Sequence, residues 1–420
     1  MKCYLGLGSN LGNRKENLYN AINRISELPE CKSVRVSPVY ETPALLPEGA
    51  PNDWNRPFLN LALEMECDQN PEAFLGTIQE IERAFGRGDH SKWSPRTIDI
   101  DILLWGDQTI SSPKLEIPHA QLKKRAFVLD PLKDLKPDFL GIAKSHPQHS
   151  PIWMGIMNIT PDSFSDGGSW RMNPDFHERL DKWDNYSVGI IDVGGESTRP
   201  RATPVNAKEE WRRISPILSE LQDRYDRRIL KPLISVDTRH VSVAKQAIEA
   251  GASIINDVSG LVDPEMIAIL KDSDAHYVLT HSLSVPANTD QLLPEGCDPV
   301  MELTTWFQRK TAFLESSGIA RERIIIDPGI GFGKTPLQSI EILRNLEKFK
   351  ALDYRLLVGH SRKSFLCPLN SIPAEDRDHE SVGVSLNLTK KGADILRVHN
   401  PVFHIRSFQA WNHLNNPHPL

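Results

Sequence analysis

Residues 96–107, RTIDIDILLWGD, set two aspartates into a run that otherwise reads as a buried strand. Side chains alternate along a strand, so Ile98, Ile100 and Ile102 face one way while Asp99 and Asp101 face the other, roughly 7 Å apart. An apolar core rarely tolerates two uncompensated carboxylates. Two readings of the pair fit. It lies on a solvated face, or pairs with Arg96 or Arg87. Alternatively it holds Mg²⁺, which takes one or two carboxylates plus substrate phosphates. Two such ions about 4 Å apart can clamp a transferring phosphoryl group. Arg87, His90, Lys92 and Arg96, then His119 and Arg125, supply nearby positive charge for a polyphosphate. These residues point to Mg²⁺-dependent nucleotide-phosphate chemistry.

A second constellation follows. Eight short apolar runs (IWMGIMNIT, VGIIDVGGEST, PLISVDT, ASIINDVS, HYVLTHS, RIIIDPG, YRLLVGHS and ADILRVHN) each end in polar residues. Those residues are Asn158, Asp192 with Glu196, Asp237, Asn256, His281, Asp327, Ser361, and Arg397 with His399. Asp237, Asn256 and Asp327 would suit a planar heterocycle with N–H donors and a ring carbonyl. Taken singly, each would equally serve as a helix N-cap. The SRKS stretch adds Arg362 and Lys363 beside a helix start, an anion site by composition and dipole. Three glycine-rich stretches carry less. GLGSNLG has G-x-G-x-x-x-G spacing, and Leu11 stands where a dinucleotide fingerprint needs glycine. PGIGFGKT puts Pro328 where a phosphate loop needs its first glycine, and FSDGGS is too short to specify a site. All three read as turns.

Elements must position these groups. The first ~140 residues carry strand-like runs (KCYLGLGS, VRVSPVYET, FLNLALEMECD, IDIDILLWGD) and helical periodicity in NRKENLYNAINRISEL and PEAFLGTIQEIERAFG. That order is β-α-β-β-α-β, an α+β ferredoxin-like N-terminal domain over residues 1–140. A linker over 141–151 follows, in the proline-bearing KPDFLGIAKSHPQHSP segment. Eight β units largely alternating with helices predict a (β/α)₈ TIM barrel over 152–420, whose strand C-termini gather the polar residues on one face. Charged residues make up 25% of the chain and the net charge is −6, against a general nucleic-acid binder. Five scattered cysteines without a C-x-x-C pair fit reduced thiols. No signal-peptide h-region and no run of ~20 apolar residues is present, so the expectation is a cytoplasmic protein with no membrane or nucleic-acid partner.

Longer motifs carry a resemblance. GLGSNLGN, SPVYETPAL, FLNLALEM, WSPRTIDIDILLWGD and IPHAQLKKRAFVLDPL make residues 1 to ~140 similar to 6-hydroxymethyl-7,8-dihydropterin pyrophosphokinase. MGIMNITPDSFSDGG, IDVGGESTRP, ISVDTR, GASIINDVSG, IIIDPGIGFGKT, LVGHSRKSFL and GADILRVHN make residues ~152 to 420 resemble dihydropteroate synthase. The resemblance implies two consecutive steps of folate synthesis. ATP, a substrate, gives its pyrophosphate to the pterin and leaves as AMP; p-aminobenzoate then displaces that pyrophosphate.

In the first half it implies that Asp99 and Asp101 ligate two Mg²⁺ ions on ATP, with Arg87 and Arg96 as phosphate-contacting catalytic arginines. Trp93, Glu82, His119 and Arg125 match further nucleotide or phosphate contacts. Asn60 matches a pterin-pairing asparagine, Phe127 a stacking ring and Phe58 an aromatic position, and backbone groups of Thr42 and Leu45 complete the pterin contacts. In the barrel, Asp237, Asn256, Asp327 and Lys363 match a pterin pocket, and Asn158 matches a ligand of one Mg²⁺ on the diphosphate. Thr198, Arg397 and His399 match its anion pocket, with Lys363, Arg397 and His399 carrying the catalysis. Phe164, Pro200, Phe332 and Ser361 match positions near p-aminobenzoate. The resemblance also implies sulfonamide inhibition and a homodimer through the barrel. His281 takes no catalytic role, and His360 replaces an apolar or small residue, altering the pterin pocket's rim. A pterin-dependent methyl-transfer barrel, or one half inert as a scaffold, are the competing readings.

Overall fold

A computed structural model describes residues 1–47, 49–86, 93–106, 108–122, 125–135, 151–159, 174–186, 188–197, 203–225, 232–288, 290–366 and 372–415. The main division into two compact units falls between Ser150 and Pro151. The first unit runs β1 (Lys2–Ser9), α1 (Arg14–Ser26), β2 (Cys31–Val36), β3 (Tyr40–Thr42), β4 (Phe58–Cys67), α2 (Pro71–Ala84) and β5 (Asp99–Trp105). A small ribbon of β6 (Ile110–Ser111) and β7 (Glu116–Ile117) and then α3 (Ala126–Leu135) complete it. Strand order is β2-β4-β1-β5, antiparallel throughout, with β3 added on β4. This is the expected ferredoxin-like arrangement, with one difference. VRVSPVYET forms two strands, because proline lacks the N–H a ladder needs and Ser37–Val39 leaves it.

Alternation divides the sheet's two faces. Leu5, Leu7, Leu61, Leu63, Ile98, Ile100 and Ile102 join Leu18, Ile22, Phe74 and Ile78 of α1 and α2 in one buried core. On the opposite face, Tyr4, Ala62 and Leu103 pack with Val128 and Leu132 of α3. The rest of that face is the polar row. Register places Gly8 between Asn60 of β4 and Asp99 of β5, and Gly6 between Ala62 and Asp101. Asparagine side chains start both long helices, Asn13 accepting from the Glu16 N–H of α1 and Asn70 from the Glu72 N–H of α2.

The second unit is a closed barrel of eight parallel strands: β8 (Ile152–Asn158), β9 (Ile190–Gly194), β10 (Leu233–Asp237), β11 (Ile254–Asp257), β12 (His276–Thr280), β13 (Ile324–Asp327), β14 (Arg355–Val358) and β15 (Ile395–Val398). Between and after them lie α4 (Pro174–Asn185), α5 (Ala207–Tyr225), α6 (Val241–Glu249), α7 (Glu265–Lys271), α8 (Pro299–Ser316), α9 (Pro336–Arg344) with α10 (Leu346–Lys350), α11 (Asp378–Lys390) and α12 (Pro401–Asn415). All eight apolar runs became strands. Their residues are buried on both faces, as inward layers and covering helices require.

Among the described residues of this unit, His281, His360 and His404 are buried and His276 is half-buried. Burial holds His276, His281 and His404 at about 3 and His360 at about 4, so each is neutral in the fold. In the unfolded chain the same imidazoles charge near pH ~6.5. The unfolded state then binds more protons, so the contribution of these groups to stability is complete above about pH 6.5 and is lost progressively as pH falls toward about 3 to 4. Urea unfolding should show a lower barrel midpoint at about pH 5 than at about pH 7.5. His404→Gln should reduce that difference; an unchanged difference would assign the acid loss to other groups.

Candidate active sites

The first site grows from the polar row. A cavity of about 770 Å³ opens over it, lined by Gly6, Gly8, Thr42, Leu45, Phe58, Asn60, Trp93, Arg96, Asp99, Asp101, His119, Arg125 and Phe127, among others. Eleven of the sequence-predicted site residues thus meet on one cavity. Gly8 forms its floor: a Cβ there would lie 2.8 Å from Asn60 Oδ1 and 3.3 Å from the Phe58 ring. Glycine weakens a strand interior but lets another group approach the backbone closely. Asn60 is buried and donates Nδ2 to Thr42 Oγ1 at 2.7 Å, which fixes its amide on the cavity wall.

Opposite it stands the acidic pair. Arg96 Nη1 donates to Asp99 Oδ1 at 2.8 Å, and His119 Nε2 lies 3.8 Å from Asp101 Oδ1. The Arg96 pairing therefore exists alongside the cavity-facing placement. Among the described residues no three His, Cys, Asp or Glu side chains form a metal cage. Two carboxylates on one strand face suit a hard cation that takes its other ligands from phosphate and water, as Mg²⁺ does. Glu82 is placed differently. It is buried on α2, does not line the cavity, and accepts the Ile100 N–H at 2.9 Å, between the two aspartates.

The barrel site is a buried charge network at the strand C-termini. Arg397 Nε donates to Asp192 Oδ2 at 2.6 Å and Nη2 to Asp237 Oδ2 at 2.7 Å. Asp192 also accepts from Ser235 Oγ at 2.6 Å and Asn256 Nδ2 at 3.3 Å. Burial opposes the Arg397 charge, but Asp192 and Asp237 outweigh it and raise its pKa. Burial likewise raises Asp237 against the pull of Arg397. Asp327 is raised by burial, with Lys363 pulling it down, and accepts the Gly329 N–H at 2.8 Å. Burial lowers Lys363 to about 8, against the pull of Asp327. The Lys363 ammonium donates to the Ile330 carbonyl and lies 4.8 Å from the centre of the Phe332 ring. Ser361 Oγ meets His399 at its N–H, 3.3 Å, and at Nδ1, 3.1 Å. Asn158 ends β8 with its side chain beside Gly194 of β9. A lone amide oxygen suits a cation held mainly by diphosphate and water.

Several expectations are redirected. Arg362 does not join Lys363 in an anion site. Its left-handed backbone, φ 60°, turns its side chain onto Asp378 of α11, at 2.7 and 2.9 Å. His360 does not reach the pocket rim either. It is fully buried and its Nε2 meets Ser381 O at 3.1 Å and Ser385 Oγ at 2.8 Å, both on α11. His281 is buried against Lys334, Nδ1 to Nζ 2.9 Å. Asp192 reads from sequence as a strand end and not as a site residue, although a carboxylate inside the apolar run IIDVGG signals it. Arg87, Phe164, Thr198 and Pro200, with His90 and Lys92, lie outside the described residues.

Fold and sites together define a tandem enzyme: an α+β phosphoryl-transfer domain followed by a (β/α)₈ barrel built to bind a pterin. Comparison with known proteins specifies it. Residues 4–137 match the family described as 7,8-dihydro-6-hydroxymethylpterin-pyrophosphokinase, and residues 154–399 match the pterin binding enzymes. A folate synthesis bifunctional protein of Chlamydia caviae is 35% identical over 437 residues, covering 97% of each chain. The mitochondrial folate synthesis bifunctional protein of Arabidopsis thaliana is 33% identical, covering 94% of this chain and 80% of that one. The barrel is similar to the dihydropteroate synthase of Xanthomonas albilineans solved with 4-aminobenzoic acid, at 33% identity and TM-score 0.57, covering 63% of this chain and 93% of that one. It is also similar to the Anaplasma phagocytophilum synthase with bound 6-hydroxymethylpterin-monophosphate, at 32% identity and TM-score 0.56, covering 63% and 99%. The chain belongs to the bifunctional folate-synthesis family, joining a pterin pyrophosphokinase to a dihydropteroate synthase.

The glycine floor yields a direct test. In Gly8→Ala the added methyl would meet Asn60 Oδ1 at 2.8 Å. Misplacing that amide is expected to lower pyrophosphokinase kcat/KM for the pterin by about 10²-fold. The barrel reaction, assayed with ready-made pterin diphosphate, should not change. Wild-type pterin kinetics in Gly8→Ala would remove the floor from the account.

Proposed function

We propose that each activity is carried by the residues its own unit gathers. In the first, Asn60 pairs with the pterin while Phe58 and Phe127 bracket the ring, and Thr42 and Leu45 contribute backbone groups. Arg87, Arg96, Trp93, His119 and Arg125 hold ATP. Asp99 and Asp101 are the residues to hold two Mg²⁺ ions on its phosphates. The metal, when bound, neutralises phosphate charge and aligns the attacked phosphorus. The chain's residues hold the hydroxymethyl oxygen in line, so that it bonds to the β-phosphorus of ATP as the bond from that phosphorus to the α-phosphate oxygen breaks; AMP takes the electron pair and the hydroxyl proton passes to solvent. Phosphoryl transfer needs mainly positioning and charge stabilisation, so no covalent nucleophile is assigned. The observation that supports this assignment is the row Asn60, Gly8, Asp99, in which the Asn60 amide of β4 and the Asp99 carboxylate of β5 flank β1 with only glycine between them. Glu82 acts from below, holding the strand between the two aspartates through Ile100.

In the barrel, Asp327, Asp237, Asn256 and Lys363 bind the pterin edge, and Asn158 is the residue to hold one Mg²⁺ on the diphosphate. Arg397, His399 and Thr198 stabilise the departing pyrophosphate, while Phe164, Pro200, Phe332 and Ser361 seat p-aminobenzoate. The amine nitrogen bonds to the pterin methylene carbon as the carbon–oxygen bond breaks, the electron pair leaves with pyrophosphate, and the amine loses a proton. Preorganised cations at the leaving group make this electrostatic catalysis. Arg397 is supported in that role by being held in place by two buried carboxylates before any ligand arrives. Domains of 1–140 and 152–420 follow the same reading. So do a cytoplasmic location and a homodimer through the barrel.

Single substitutions should separate the two reactions. Asp101→Ala is expected to abolish AMP release and leave the barrel reaction with ready-made pterin diphosphate unchanged. Asp327→Ala should do the reverse. Near-normal pyrophosphokinase turnover in Asp101→Ala would refute the metal assignment.

A further inference from the structure

Asn10 belongs to GLGSNLG, a stretch that reads from sequence as no more than a turn. In the fold it follows β1 directly and is buried, at 4% exposure. Its side chain is used at both ends. Oδ1 accepts the Arg96 N–H at 2.8 Å, and Nδ2 donates to the Arg56 carbonyl at 3.3 Å. Its own N–H donates to the Arg96 carbonyl at 3.2 Å, so Arg96 is gripped on both sides of its backbone. Neither partner sits in a helix or strand. Such coil segments must satisfy their backbone groups through side chains or water. Asn10 supplies that for two of them at once.

Arg96 itself lines the cavity, and so do Phe58 and Asn60 just beyond Arg56. Arg96 carries the guanidinium that grips Asp99 at 2.8 Å, three residues from the start of the acidic pair. Arg56 lies two residues before Phe58 and four before Asn60, where β4 begins. It is itself fixed, with Nε donating to Asp53 O at 2.9 Å and N–H to Trp54 O at 2.8 Å. One planar amide therefore spans from the phosphate wall to the pterin wall, a few residues upstream of the groups each wall presents. We infer that Asn10 is a positioning residue of the pyrophosphokinase, setting the distance between nucleotide and pterin across the site. The inference rests on the functional reading above for the first unit.

The two ends of the amide can be separated. Asn10→Ala removes both bonds and leaves the Arg96 N–H and the Arg56 carbonyl without them. Asn10→Asp keeps an oxygen for Arg96 but turns a carboxylate oxygen toward the Arg56 carbonyl, which pushes only the pterin wall away. Full-length wild type and both variants would be assayed for AMP release with each substrate varied in turn. The barrel reaction with ready-made pterin diphosphate, run in parallel, reports that the barrel is folded, and a wild-type urea midpoint for the first unit reports the same there. Asn10→Ala should raise KM for both substrates and lower kcat, each by about tenfold, as displacement of bound reactants predicts. Asn10→Asp should raise KM for the pterin about tenfold and leave KM for ATP within about twofold. Both KM values unchanged in Asn10→Ala would overturn the inference. So would identical behaviour of the two variants, with kcat alone reduced, which is the mark of a merely structural turn. Wild-type protein that releases no AMP would instead overturn the functional reading itself, before any variant is considered.

Discussion

β5 stands at the end of its sheet's strand order and must serve two media at once. Ile98, Ile100 and Ile102 are buried against α1 and α2, while Asp99 and Asp101 stay partly exposed on the cavity. Register ties these demands together, since slipping the strand by one residue would drive both carboxylates into the core. Glu82 secures that register from α2. Its carboxylate accepts the Ile100 N–H, an outward-facing group that an edge strand would otherwise leave unpaired. The placement of the acidic pair on the cavity depends on this arrangement.

The barrel solves a harder electrostatic problem. Its site residues are buried charges, and buried charges persist only when paired and hydrogen-bonded. Asp192 makes the solution legible: one fully buried carboxylate accepts from Arg397, Ser235 and Asn256. It thereby joins a group assigned to the anion with one assigned to the pterin. The Asp327 and Lys363 pair is poised differently, with burial pushing the acid up and the base down, toward neutrality on both sides. The first site is an open cavity with partly exposed carboxylates; the second is a network of internal ion pairs and hydrogen bonds.

Periodicity in the sequence was enough to read the alternating face of β5 and the eight strand ends, because both follow from spacing along one strand. Partners distant in the chain were not readable in that way. Glu82 looks like a nucleotide contact by motif, yet its fold neighbour is a backbone N–H eighteen residues away. Arg362 and Lys363 are adjacent and chemically alike in sequence, and a single left-handed residue sends one to α11 and the other to the site. His360 was placed at the pocket rim by its neighbours in SRKS, but its ring points into the layer between β14 and α11. In each case a backbone angle or a long-range packing partner decided the outcome, and neither leaves a local pattern.

One chain joins a pterin pyrophosphokinase to a dihydropteroate synthase. The most direct measurement supplies the full-length protein with ATP, Mg²⁺, 6-hydroxymethyl-7,8-dihydropterin and p-aminobenzoate, and follows AMP and dihydropteroate together. Dihydropteroate should appear after AMP and approach it mole for mole as pterin is consumed. AMP without dihydropteroate under excess p-aminobenzoate would contradict the claim for the barrel, and absence of AMP would contradict it for the first unit.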